Sequence, residues 1–155
     1  MSTKIHKMSK RGERTLVLID PENLMGGTTY NSQQVCDTVL DVLYRGRVDT
    51  GAHVVLSASC GASALETKLG WPTGRLVWRA GQPAALSLTE VALDEEVDDR
   101  FTRVVIASGN GQFEMTARIL RQRGLRVDVV TGTGSLSRRL QLAVANTNDP
   151  RGRAA

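Results

Sequence analysis

Aromatic residues make up only 4% of the chain, and cysteines number two. With so few rings, a core must be built from Val, Leu, Ile and Ala, the usual filling of buried parallel strands with helices packed over them. Cys36 and Cys60 are too few and too far apart for a metal knuckle or a disulfide framework, which favours a reduced compartment and a cytoplasmic protein. The two histidines, His6 and His53, provide neither a metal cluster nor an evident triad base. No apolar run is long enough to span a membrane, and the first residues (MSTKIHKMSKRGER) are basic without the apolar stretch of a secretory signal. A membrane partner is therefore not expected.

What is present suffices for one ordinary domain. Of 155 residues, 41% are hydrophobic, enough for a core and too many for wholesale disorder. Net charge is +4, unevenly distributed. Lys4, Lys7, Lys10, Arg11 and Arg14 crowd the start, and Arg118, Arg121, Arg123, Arg126, Arg138 and Arg139 crowd the last third, with acids between them from Glu90 to Asp99. Clustered guanidinium groups suit a polyanion, because they match phosphate geometry and displace its counterions. A solvated surface with a basic arm accounts for the same charges equally well.

Short apolar runs alternate with helical patterns. Strands are expected at 15–20 (TLVLID), 52–57 (AHVVLS), 74–78 (GRLVW), 103–107 (RVVIA) and 125–130 (LRVDVV). Helices are expected after Asn31, over 61–69, over 87–97 with an acidic face, after Gly111 up to Gly124, and from Gly132 through Ala143. This order predicts a three-layer α/β/α sandwich on a mainly parallel five-stranded sheet, a Rossmannoid fold. Residues 1–14 read as a flexible basic arm, 15–145 as the domain and 146–155 as a flexible tail.

In such sheets ligands bind at the carboxyl ends of the strands, where the chain reverses direction. Two polar clusters fall at the ends of the first and fourth strands: Asp20 to Asn23 (DPEN) and Ser108 to Gln112 (SGNGQ). A carboxylate ending an apolar strand is costly unless it holds a cation or accepts hydrogen bonds. Gly109 and Gly111 allow close approach of a ligand to the backbone. Each cluster alone is also an ordinary cap or turn; together they mark a candidate site. A second glycine-rich turn, Thr131 to Ser135 (TGTGS), followed by Arg138 and Arg139, is compatible with an anion nest or a plain loop with a Ser cap.

The segment Leu18 to Leu24 (LIDPENL), paired with Arg103 to Phe113 (RVVIASGNGQF), then a helix, Gly124 and the strand Arg126 to Val130, resembles the NYN group of PIN-like nuclease domains over about residues 15–145. That resemblance implies a ribonuclease whose clustered carboxylates hold Mg²⁺ or Mn²⁺ to activate water against a phosphodiester. Asp20 and Asn23 match the family pattern; where it has further acids this chain has Asn110 and Gln112, and Leu86 stands where a middle carboxylate is expected. Such a set holds metal only weakly, through Asp20. The leading expectation is thus an RNA-engaging domain with depleted nuclease activity, a pseudoenzyme, with Asp20, Asn23 and Asn110 in its crevice. Ser108, Gly109, Arg118, Arg121, Arg138 and Arg139 are its RNA contacts. The alternatives are an active Mg²⁺- or Mn²⁺-dependent endoribonuclease that recruits Asp94 or Glu95 to Asp20, and a scaffold whose acidic 90–99 face meets a protein partner. A homo-oligomer is compatible with each.

Overall fold

The computed structural model of the chain describes residues 13–132. The helix expected from Gly132 through Ala143, with Arg138 and Arg139, lies outside the described residues, as do most of the basic arm and the tail. Five strands form one sheet in the order β3-β2-β1-β4-β5: β1 (Thr15–Ile19), β2 (His53–Ala58), β3 (Arg75–Trp78), β4 (Arg103–Ala107) and β5 (Arg126–Val130). Every pairing is parallel, with Ile19 opposite Ala107 at the ends of β1 and β4. The expected three-layer sandwich is the observed fold.

Helices cover both faces: α1 (Pro21–Met25), α2 (Ser32–Arg45), α3 (Gly61–Gly70), α4 (Ala84–Asp94), α5 (Val97–Arg100) and α6 (Phe113–Gln122). Successive strand residues point to opposite faces. Leu16, Leu18, Val104, Ile106, Val127 and Val129 therefore pack beneath Leu88 and Val91 of α4 and Phe113 and Leu120 of α6. Val17, Ile19, Val105 and Ala107 pack against Val35, Val39 and Val42 of α2. This two-sided burial explains why the strands read as continuous apolar runs.

Local signals set most boundaries. Asn31 and Gln34 form a reciprocal capping box that opens α2. At Gly70, a Cβ would lie 2.5 Å from the Ser32 carbonyl oxygen, so only glycine allows α3 this close to the start of α2. The acidic helix differs from expectation: it spans Ala84–Asp94, opening directly after Pro83, and does not continue to Val97. Glu96 takes a left-handed conformation (φ 53°) and starts the short α5. Acids gathered at a helix carboxyl end oppose its dipole, so the acidic run ends the helix instead of prolonging it.

One ion pair is fully internal. Arg103 Nε donates to Asp128 Oδ2 at 2.7 Å, and its Nη2 donates to the Gly46 carbonyl at 2.7 Å, tying β4, β5 and the turn after α2 together. Arg126 Nε also stands 3.2 Å from Asp128 Oδ2. Replacing one member of a buried pair leaves the other charge uncompensated. Arg103→Met is expected to lower unfolding free energy by about 3 kcal/mol in equilibrium urea denaturation. A loss below about 1 kcal/mol would mean that Arg126 carries Asp128 unaided.

Candidate functional site at the carboxyl ends of β1 and β4

The ladder between β1 and β4 closes with Asp20 N–H donating to the Ala107 carbonyl at 3.1 Å. Beyond that point the β1–β4 ladder stops, and side chains link the two strand ends. Asp20 Oδ1 accepts from Asn23 N–H at 3.2 Å, so Asp20 is the N-cap of α1. Asn23 Oδ1 accepts from Gly109 N–H at 2.9 Å, stitching α1 to the loop after β4. Ser108 Oγ accepts from Asn110 N–H at 3.1 Å and makes a long contact of 3.5 Å to Asp20 Oδ2. Asn110 Oδ1 in turn accepts from Gln112 N–H at 2.9 Å. The structure thus brings Asp20, Asn23, Ser108, Gly109 and Asn110 together, each in a capping bond.

These bonds fix the chemistry on offer. A backbone N–H can only donate, so the amide oxygens of Asn23 and Asn110 must face Gly109 and Gln112. Each carbonyl oxygen, the atom with which an asparagine would ligate a cation, is turned to the backbone and already accepts one hydrogen bond. The NH₂ groups, which are donors, are turned the other way.

Asp20 is 3% exposed. Its pKa is raised to about 6, first by burial and further by nearby Glu22, against the lowering effect of the Asn23 and Ser108 hydrogen bonds. Glu22 was not singled out from sequence, yet it organises the neighbouring strand end. Its carboxylate accepts from Ser59 N–H and Ser59 Oγ, both at 2.7 Å, and from Ser63 Oγ at 2.8 Å. Ser63 also lies 3.2 Å from Cys60 Sγ, and its hydroxyl is the main reason the Cys60 thiol is more acidic than usual. Tyr30 Oη meets Thr67 Oγ1 at 2.8 Å beneath this cluster, and burial raises its pKa. The signal for this second cluster was the serine-rich run Ser57 to Ser63 at the end of β2, a third polar strand end.

Other expected residues lie elsewhere. Glu95 chelates Arg75 at the start of β3 through two hydrogen bonds, and this pairing holds its pKa down. Since α4 returns towards the amino ends of the strands, Asp94 and Glu95 sit at the opposite rim from Asp20, and the recruitment that an active endoribonuclease would need does not occur. Leu86 is exposed on the first turn of α4. On α6, Arg118 is exposed and pairs with Glu114 at 3.3 Å, and Arg121 is half-buried. Ser108 is fully buried, which gives it a positioning role instead of a direct contact.

Mg²⁺ takes near-octahedral oxygen ligands, with at least one or two carboxylates free to bind. Measured against that demand the donor set is sparse: Asp20 caps α1 through Oδ1, Glu22 accepts from three protein donors, and each asparagine oxygen accepts one backbone N–H. Among the described residues no group of three or more His, Cys, Asp or Glu is arranged to hold a metal ion, and no helix is long and apolar enough to cross a membrane.

No protein-family model matches the chain, and no curated protein matches it. Among solved structures, a protein of unknown function from Vibrio parahaemolyticus is similar in fold. The two share 15% identity at a TM-score of 0.57, over 88% of this chain and 92% of that one. An isochorismatase-like hydrolase from Alkaliphilus metalliredigens is more distant, at 12% identity and TM-score 0.46 over 92% of this chain and 95% of that one. Fold and site together define a Rossmannoid α/β/α domain whose described residues lack a metal-binding carboxylate cluster.

The raised pKa of Asp20 has a direct consequence for stability. A carboxyl group whose folded pKa exceeds its unfolded value favours folding when protonated, and that contribution is lost as pH rises through about 6. Asp20→Asn keeps the cap oxygen and removes the buried charge. The variant is expected to be more stable than the parent by about 2 kcal/mol near pH 7.5 in urea denaturation, with the difference shrinking as pH falls from about 6 towards 4. A variant equally or less stable near pH 7.5 would show that the ionised carboxylate is compensated.

Proposed function

We propose that this is an RNA-binding domain of NYN/PIN-like descent in which the metal-dependent nuclease site has become a donor-lined crevice, with cleavage weak or lost. The observation carrying this reading is the commitment of the Asn23 and Asn110 oxygens to backbone N–H groups, which leaves N–H donors at the junction of β1 and β4. Such donors suit a phosphate oxygen and not a cation. The two acids nearby are muted: Asp20 is buried and titrates near 6, and Glu22 is saturated by serine and backbone donors. Arg118 on α6, together with Arg121, Arg138 and Arg139, supplies the longer-range attraction of a polyanion. Asp20 remains a weak contact for Mg²⁺ or Mn²⁺ that binding does not require.

Fluorescence anisotropy with single-stranded RNA tests this. Affinity should be equal in EDTA and in Mg²⁺, and should fall steeply with salt. Asn23→Asp and Asn110→Asp keep the capping oxygen but replace donors by charge, and each should weaken binding in EDTA by roughly tenfold. Adding Gln112→Asp to Asn110→Asp should raise Mg²⁺ affinity in calorimetry. Robust Mg²⁺-dependent cleavage by the unmodified protein, lost in Asp20→Asn, would replace this reading with the active endoribonuclease. Absence of salt-dependent RNA binding would leave the protein-interaction scaffold.

A further inference from the structure

The opposite rim of the sheet carries a feature that the reading above does not use. A cavity of about 790 Å³ opens where β1, β2 and β3 begin, lined by Arg14, Asp49, His53, Arg75, Arg100 and Phe101 among others. Phe101 is buried, and two guanidinium groups lie over its ring, Arg14 at 5.8 Å and Arg100 at 5.3 Å from the centroid. The His53 ring packs against the same phenyl group, 5.6 Å between centroids and tilted by 53°. Attraction to an aromatic face holds each cation in place but does not cancel the repulsion between two like charges gathered on one ring.

The acids nearby are mostly engaged elsewhere. Glu95 is chelated by Arg75 and stands 3.9 Å from Arg100. Glu13, also in the lining, pairs with Arg103 and Arg126. Arg14 pairs with no carboxylate among the described residues. Arg14 and Arg100 thus face only Asp49 as an uncommitted acid of the lining. His53 registers the imbalance: its pKa is lowered by burial, then by Arg100, Arg75 and Arg14, with Glu95 opposing.

We infer that this amino-end cavity is a second site, independent of the crevice at Asp20, and that it binds a phosphate monoester. Two guanidinium groups can donate to the oxygens of a dianion, and the imidazolium of His53 adds a third donor. A bare phosphate would leave most of the cavity unfilled. The volume lies within the range of small-ligand pockets and accommodates an organic group of nucleoside size. A bound dianion reverses the electrostatics at His53, offsetting Arg14, Arg75 and Arg100, so binding and protonation of His53 favour each other and affinity rises as pH falls through the histidine range.

A free nucleotide and the 5′-phosphorylated end of an RNA share this chemistry. Proton NMR of the full chain carrying His6→Gln leaves His53 as the single histidine to titrate. Inorganic phosphate and AMP should each raise its midpoint by about one pH unit, and adenosine should not. Arg14→Gln should remove at least half of that rise, and so should Arg100→Gln, with thermal unfolding confirming that each variant is folded. Asn110→Asp should leave it intact, which separates this site from RNA binding at the other rim. An oligoribonucleotide with a 5′-phosphate, compared with its 5′-hydroxyl twin and with AMP, assigns the source as RNA end or free nucleotide. A midpoint that responds equally to AMP and adenosine would overturn the proposal. So would a rise undiminished in both arginine variants.

Discussion

Parallel strands that end side by side in a sandwich leave backbone amides with no ladder to join, and the described part of this domain is arranged around how those amides are met. A hydrogen bond contributes a net of about 1 kcal/mol, and here side-chain oxygens supply it in place of water. After Ala107 accepts the last β1 amide, Asp20, Asn23, Ser108 and Asn110 supply four in turn, each to an N–H of the loops and short helix that follow. One side chain cannot use the same lone pair for a backbone amide and for a metal ion. The capping scheme therefore bears on the chemistry of the rim: the polar side chains gathered there also hold the scaffold together.

Much of this was legible in the sequence, for physical reasons that also mark where reading stopped. The strands were visible because burial on both faces makes them uninterrupted Val, Leu and Ile runs, and the pairing of β1 with β4 follows once the sheet is parallel and centred on β1. Asp20 and Asn110 were visible as polar ends on apolar strands. Helix α1 was not, since five residues are too few for periodicity, and it exists because Asp20 caps it and Pro21 fits its first turn. Glu22 was missed because its partners, Ser59 and Ser63, are 37 and 41 residues away. The acidic run misled in another way: its density suggested a long helix with one charged face, whereas Glu90 and Glu95 turn to separate arginines, Arg79 and Arg75, and the helix ends at Asp94.

The two rims of the sheet show opposite solutions to charge. At the amino rim, charges meet charges: Arg75 with Glu95, Arg103 with Asp128, Glu13 with Arg103 and Arg126. At the carboxyl rim, charges meet neutral donors: Asp20 with a backbone amide and a hydroxyl, Glu22 with serines. Neutral donors stabilise a carboxylate without cancelling its charge, and for the buried Asp20 they do not outweigh desolvation, which is why its pKa is raised.

That balance bears on how the rim would respond to an anion. None of the causes acting on Asp20 is a neighbouring cation; burial is the largest of them, and the charge on Asp20 weakens as pH falls towards 6. Glu22, by contrast, has three donors on its oxygens and presents little unsatisfied acceptor capacity. An anion at this rim would meet one carboxylate that is partly neutral near pH 6 and another that keeps its charge while its oxygens are hydrogen-bonded, beside the amide NH₂ groups of Asn23 and Asn110. Replacing Asn110 and Gln112 by acids would shift that balance, because each adds a full charge at the same strand end as Asp20 and raises its pKa further. An intact carboxylate set and a donor-lined crevice are therefore alternatives for the same backbone: the first is stable only when a divalent ion compensates the crowded charge, and the second needs none.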